Sequence, residues 1–415
     1  MSIEMSYLKT IVQKPVAGRQ ESSPQVCKTL HTVDVGGDAP HVLFIIDELC
    51  EIGGAERVLL QTVRLLRQRN YNCSVITFKI QPNLEETQQI DFPLYVFPLG
   101  RTYNWNALRV ALQIRRIIRE QKVSIVHTFF ETSDIWGSIV AKLSGVPVLI
   151  SSRRDMGILR SRKHFMAYKF TGPLYDAVLT VAPQVRDYCI NQDGIHPDRV
   201  HTLFNGLEME KIESARSRVR MRRELQIGDH VPVITTVANI RRIKGIDVLV
   251  RVASAVCAKF PESLFFVIGT RSDRQYCEEL DQMVASLNLQ KNFRFLGSSE
   301  DVASFLKMSD VFCLLSRSEG FSNALIEAMA CRLPCVATDV GGNREALQDG
   351  KSGFLVANED WETAADRVLR LLQDSELTRE MGDSGHDIVL HKFTADVMMD
   401  NLLAVYRETL RRKAK

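Results

Sequence analysis

The chain has 415 residues, more than one ordinary hydrophobic core accommodates and enough for two domains of about 180 residues each. With 45% hydrophobic and 25% charged residues it reads as globular rather than disordered, and no apolar run approaches the ~20 residues of a membrane-spanning helix. The net charge of +3 is uneven: residues 101–170 hold 13 Lys/Arg against 4 Asp/Glu, a local +9 that leaves −6 for the rest. Such a segment is a solvated basic helix face or a surface for an anionic partner, and no recognition-helix or aromatic-platform motif accompanies it to indicate nucleic acid. Nine cysteines without a C-x-x-C pair, several inside apolar stretches (Cys73, Cys257, Cys313, Cys335), predict buried free thiols in a reducing cytoplasm.

In chain order, residues 1–39 are weakly patterned, with Glu21-Ser22-Ser23-Pro24 and Gly36-Gly37, and read as a poorly ordered leader. The start, Met1-Ser2-Ile3-Glu4-Met5, has no basic n-region ahead of an apolar stretch, so secretion is not expected. The first domain is expected over 40–205. Its first strand, 41–46, runs through Asp47-Glu48-Leu49 to Gly53-Gly54-Ala55-Glu56-Arg57, which opens a helix ending near Gln68. Paired glycines between strand and helix let a ligand approach backbone amides closely, although the stretch is not Gly-x-Gly-x-x-Gly and a dinucleotide fingerprint is absent. Further strands are predicted at 73–78, 94–97, 123–127, 146–151, 177–181 and 200–204, with helical patterns between most of them, until Asn205-Gly206 signals a turn.

A polar, basic linker of helical character follows over 211–223. A second alternation over 206–390 has strands at 231–237, 264–268, 293–296, 311–315 and 335–338. Alternation of this kind means parallel sheets with helices on both faces: an α/β protein of two doubly wound domains, with ligands expected in a cleft at the carboxyl ends of the strands. The last segment, 391–415, carries a long helical pattern with apolar Val397, Leu402, Leu403, Val405 and Leu410.

Most informative is Ser316-Arg317-Ser318-Glu319-Gly320-Phe321-Ser322-Asn323-Ala324-Leu325-Ile326-Glu327, which follows the apolar run 311–315. Ser322 or Asn323 offers an N-cap oxygen for a helix over 324–330, stopped by Leu333-Pro334. A strand, a tight polar loop and a helix N-terminus leave amide donors and a positive dipole end turned outward, a place for a phosphate. Glu319 and Glu327 suit sugar hydroxyls better than phosphates. In the preceding strand-to-helix loop, Ile240-Arg241-Arg242-Ile243-Lys244-Gly245, an arginine and a lysine can neutralise a diphosphate.

Together, Glu319-x7-Glu327, Ser-Glu-Gly-Phe, Pro334-Cys335-Val336-Ala337-Thr338-Asp339, Gly341-Gly342-Asn343-Arg344-Glu345 and Gly353-Phe354-Leu355-Val356 resemble the donor site of retaining GT-B glycosyltransferases of family 4. The resemblance runs from His41 to the C-terminus. It implies two facing Rossmann-like domains with an inter-domain cleft, and a final helix that crosses back to the first domain. It also implies transfer of a sugar from a nucleoside-diphosphate sugar to a hydroxyl acceptor, in glycan, exopolysaccharide or glycolipid synthesis. By the same resemblance Glu319 orients donor-sugar hydroxyls, Glu327 accepts from the ribose, Lys244 and Arg241 hold the diphosphate with Ser322 and Asn323 at the helix start, Phe321 belongs to the donor motif, and Gly53-Gly54 faces the donor phosphates and the acceptor.

The family places an arginine where this chain has Asn239; the role passes to Arg241, with Arg242 competing. Where it often has two histidines one residue apart, this chain has His127-Thr128-Phe129, so His127, Glu131 or Asp134 stands for the missing group. Arg153 and Arg154 are candidate contacts for an anionic acceptor or the donor phosphates, or partners of Asp155 in an ion pair. No Asp-x-Asp is placed to hold Mg²⁺, so no metal or resident cofactor is implied. The expected partners are the nucleotide sugar, a glycan or lipid-linked acceptor, and an anionic membrane surface met through the basic residues of 101–170, at the cytoplasmic face. Two alternatives stay open: an epimerase-like sugar-nucleotide enzyme, and a nucleotide-sugar-binding scaffold without activity.

Overall fold

The computed structural model describes residues 39–50, 53–81, 90–154, 157 and 161–414. Residues 1–38, expected to form a leader, and Asp155 lie outside the described residues. The described residues divide into two compact units, one formed by 39–206 together with 396–414, the other by 207–395.

The first unit is a seven-stranded, all-parallel sheet: β1 (His41–Leu49), β2 (Asn72–Ile80), β3 (Leu94–Val96), β4 (Ile125–Phe129), β5 (Val148–Arg153), β6 (Ala177–Thr180) and β7 (Val200–Thr202), in the order β3-β2-β1-β4-β5-β6-β7. A strand covered on both faces has no polar side to show, hence the continuous apolar run of β1. Val42, Phe44 and Ile46 enter a core shared with the helix Gly54–Gln68 and the helix Ala395–Ala414, which supplies Met398, Met399, Leu402, Leu403 and Tyr406. Ile45 points the other way, against Gly137 of the helical segment 133–143.

Strands expected at 123–127 and 146–151 begin and end two residues later. The valines that open those apolar runs belong instead to helix endings. Lys122 takes φ 47° and Val123 N–H donates back to Ile118 O, while Gly145 takes φ 86° and Val146 N–H donates to Ala141 O. A left-handed residue followed by an apolar one is how a helix satisfies its last carbonyls, so each valine caps a helix before its strand starts.

The second unit contains β8 (Val233–Val237), β9 (Leu264–Ile268), β10 (Phe293–Gly297), β11 (Val311–Leu314), β12 (Cys335–Thr338) and β13 (Gly353–Val356), all parallel, in the order β10-β9-β8-β11-β12-β13. In both sheets the winding direction reverses beside the first strand, between β1 and β4 and between β8 and β11, where loops at the carboxyl ends part to leave a crevice.

The stretch read as a basic linker is part of the second unit. It forms two short helices, Met209–Glu213 and Arg218–Glu224. Arg222 is buried, donating to the carbonyls of Met308 (3.0 Å), Gly228 (2.9 Å) and Val231 (3.0 Å) and to Asp310 (2.7 Å). Asp310 in turn accepts from the β8 amide of Val233 at 2.8 Å. Replacing Arg222 by methionine is expected to destabilise this unit by about 3–5 kcal/mol, because buried acceptors lose their donor, read as a lower urea midpoint.

Candidate active site

Because β8 and β11 are neighbours, the loops leaving their carboxyl ends meet. After β8 the chain makes a turn at Arg242–Lys244 and enters the helix Ile246–Lys259 through Gly245, at φ 61°. After β11 it passes through 315–321 to Ser322, whose hydroxyl caps the helix Asn323–Ala330 by accepting from Leu325 N–H at 3.3 Å. Lys244 Nζ donates to Glu319 Oε1 at 2.6 Å, and Ser316 Oγ donates to the same oxygen at 2.7 Å. The Glu319 side chain is 8% exposed and that of Lys244 26%, so the pair is largely screened from water without being sealed.

The loop that carries Glu319 is held from several directions. Arg317 grips Asp247 with both ends of its guanidinium (2.9 and 2.7 Å) and pairs with Glu359, while its backbone N–H donates to Ile243 O at 2.8 Å. Thr338 Oγ1 donates to Ser316 O at 2.5 Å, and Gly342 N–H donates to Gly320 O at 2.9 Å. Two glycines allow closer approach than a side chain would. A Cβ on Gly245 would lie 2.0 Å from Leu315 O, and one on Gly341, at φ 54°, 1.8 Å from Glu319 O. Lys244 and Glu319 are therefore fixed by backbone packing as well as by their own contact. Arg317 and Asp247 were not singled out in the sequence; they are 70 positions apart, and only the adjacency of β8 and β11 brings them together.

Other predicted donor-side residues take distinct places. Arg242 pairs with Glu279 and lies over the Tyr276 ring, whereas Arg241 is exposed at the residue before the turn. Glu327 lies half-buried in the helix Asn323–Ala330, and Asn323 is its first residue. Phe321 is buried, with its ring 5.3 Å from that of Phe393.

In the first unit His127 is not at a strand end. It sits in the middle of β4, buried, with Nδ1 2.7 Å from the Tyr406 hydroxyl and Nε2 2.8 Å from Ser152 Oγ. Burial pushes its pKa down to about 3, and the nearby Arg154 cation works in the same direction. A neutral, doubly engaged imidazole lines a water-sized cavity of about 10 Å³ with Arg154 and Asn205. The unfolded chain takes up a proton near pH 6.5 that the folded chain refuses until about 3, so stability falls as pH drops through that window. A His127→Gln variant is expected to lose less melting temperature than the parent on acidification from pH 6.5 toward 3; equal slopes would refute this.

Arg153 and Asp134 are interior groups. The Arg153 guanidinium lies 3.2 Å from the Asp134 carboxylate and 3.9 Å over the Tyr168 ring. Asp134 also accepts from the hydroxyls of Thr128 (2.5 Å) and Ser151 (2.7 Å). The buried pair fastens β5 to residues 133–143, and neither charge is presented to an acceptor. Glu131 lies 3.0 Å from His164 and is partly exposed. Arg154 keeps the position expected of it at the carboxyl end of β5 and donates to Asn205 Oδ1 at 2.6 Å, and the Glu56 carboxylate favours its charged form. Glu56 belongs to the first turn after Gly53-Gly54, and a Cβ on Gly53 would sit 2.9 Å from its carboxylate. Asp47, beyond the buried start of β1, accepts the amides of Thr132 (2.8 Å) and Ser133 (2.6 Å), joining the two strands at the reversal of winding.

Among the described residues no group of three or more His, Cys, Asp or Glu side chains is gathered to hold a metal, every cysteine is a free thiol, and no helix is long and apolar enough to cross a membrane.

Two doubly wound, all-parallel units are the architecture of the GT-B fold. Residues 52–211 match the model of Glycosyltransferase Family 4 and residues 217–387 that of Glycosyl transferases group 1, and the chain belongs to this family of glycosyltransferases. The N-acetyl-alpha-D-glucosaminyl L-malate synthase of Bacillus anthracis is 30% identical over 212 residues, 51% of this chain and about half (54%) of that protein. The UDP-Gal:alpha-D-GlcNAc-diphosphoundecaprenol alpha-1,3-galactosyltransferase of Escherichia coli is 24% identical over 339 residues, 79% of this chain and 86% of that one. Among solved structures, Anabaena Alr3699/HepE in complex with UDP superposes with a TM-score of 0.77 at 19% identity, covering 88% of this chain and 99% of that chain.

Proposed function

We propose that this glycosyltransferase is a retaining, metal-independent enzyme that moves a hexose from a nucleoside-diphosphate sugar to a hydroxyl of a glycan or lipid-linked acceptor. The observation that carries the reading is the braced contact between Lys244 and Glu319 at the β8/β11 crevice. On donor binding the Lys244 ammonium turns from Glu319 to the diphosphate, joined by Arg241 and by the helix start at Ser322 and Asn323. Glu319 is thereby released to accept the sugar's hydroxyls, and Glu327 those of the ribose. Negative charge that develops on the departing diphosphate meets cations already in place, which is where most of the rate acceleration arises. The bond from the anomeric carbon to the phosphate oxygen breaks, the acceptor oxygen bonds to that carbon on the same face, and the acceptor's proton passes to the leaving phosphate. Arg154, with Asn205 and Glu56 around it, is the first-unit group that meets the acceptor. The setting we propose for that acceptor is an anionic membrane surface met through the basic residues of 101–170.

A panel of nucleotide sugars read by thermal unfolding tests the donor, with uridine diphosphate sugars first because the Anabaena neighbour was solved with UDP. A donor at 100 times its Kd adds about 2.7 kcal/mol of stability. One base is expected to raise the melting temperature and to be released as nucleoside diphosphate once acceptor is added. A shift without release under any acceptor would instead support an epimerase or an inactive binder, and no shift with any donor would overturn the reading.

A further inference from the structure

The helix Trp105–Glu120 presents an outward face that the first unit leaves uncovered. Its start is fixed by Asn104, whose side chain accepts from Ala107 N–H at 2.9 Å, so the direction of its side chains is set. Ala107, Val110, Ile114 and Ile118 are buried against the sheet. At 100° per residue the opposite side carries Trp105, Leu108 and Leu112 in one line, with Tyr103 just before it. Trp105 is 87% exposed and Tyr103 81%, and both leucines are more than half exposed. The same face holds exposed Arg109, Arg116 and Arg119, and across 101–119 there are five arginines and no Asp or Glu. Arg116 pairs with Glu120, just beyond that stretch. A second helix, Arg162–Thr171, repeats the composition: exposed Met166 and Phe170 stand among Arg162, Lys163 and Lys169. Both helices pack near the intervening segment 133–143, which places them in one layer.

We infer that this layer is a membrane-docking face, with Trp105, Leu108 and Leu112 entering the headgroup region of an anionic bilayer and the arginines meeting its phosphates. An apolar row alone would fit many partners. What selects lipid is the combination of exposed aromatic rings at one end, which favour the polar–apolar boundary, with a stretch wholly free of acidic residues, which favours a surface of uniform negative charge. An acidic protein would satisfy the arginines but leaves no reason for four large apolar side chains to stand in water between them. The inference rests on the proposed membrane setting, yet its test does not depend on sugar transfer.

The full-length protein is mixed with vesicles of phosphatidylcholine alone and of phosphatidylcholine with phosphatidylglycerol, and binding is read by co-sedimentation and by quenching of tryptophan with brominated lipid. The expected result is binding at least about tenfold tighter to the anionic vesicles, weakened by salt, with quenching. The combined variant Trp105→Ser, Leu108→Ser, Leu112→Ser loses the quenching and most of the binding. The variant Arg101→Gln, Arg109→Gln, Arg119→Gln loses the preference for anionic lipid. All six positions are exposed, so the donor-induced thermal shift is kept in both variants, which separates failure here from failure of the enzymatic reading. Equal binding by parent and variants overturns the inference, as does binding to polyglutamate with none to vesicles.

Discussion

Lys244→Ala is expected to lower kcat/KM by about 10²–10³-fold, the loss typical when one preformed contact to developing charge is removed. The residue also has a structural partner, so the activity loss must be separated from unfolding. Without Lys244 the Glu319 carboxylate, at 8% exposure, keeps Ser316 as its remaining neutral donor, a change that destabilises the unit by on the order of 1–3 kcal/mol. Glu319→Gln retains the Ser316 contact and should fold normally while losing activity to a similar extent. The double variant Lys244→Met, Glu319→Gln, with no unpaired charge left behind, should recover the urea midpoint and remain inactive. Activity within about threefold of the parent in any of these variants would end the assignment of the crevice to donor binding.

The second large effect is expected at a residue that touches no substrate. Gly341→Ala would drive a methyl group to 1.8 Å from Glu319 O at a φ of 54°, so the backbone on one side must move. Displacement of a reacting group by about 1 Å can reduce rate about 10²-fold, and that is the fall expected in kcat, with a stability loss of a few kcal/mol. Gly350→Ala is the control. It shares the positive φ, 73°, but a Cβ there meets nothing within 4 Å, so only the conformational penalty of about 1 kcal/mol applies and kcat should be unchanged. Equal effects at the two glycines would show that backbone conformation, rather than pressure on Glu319, is what matters at 341.

The alternation of strands and helices was legible because local signals and tertiary burial agree. The helix after Gly53 ends at Gln68 as its pattern predicts, and Ser322 caps its helix as its side chain allows. Reading failed where two apolar signals overlapped. Val123 and Val146 look like strand residues and serve as helix endings, an error of two residues that moved His127 from a strand tip to a strand centre. It failed again for the charges at the ends of β5. Arg153 and Arg154 are adjacent in sequence and point to opposite sides of the sheet, so one is locked inside with Asp134 while the other reaches Asn205. No local pattern distinguishes them, because the deciding partners come from other strands.

Among the described residues, the core of the first unit is built from two stretches of chain separated by nearly two hundred residues, whereas the second unit is one uninterrupted stretch. A ribosome therefore delivers everything the second sheet needs before it releases Tyr406, on which His127 and the β1 side of the other core depend. Ending translation after residue 394 would leave the later-encoded unit able to fold and the earlier one waiting for a piece that never emerges.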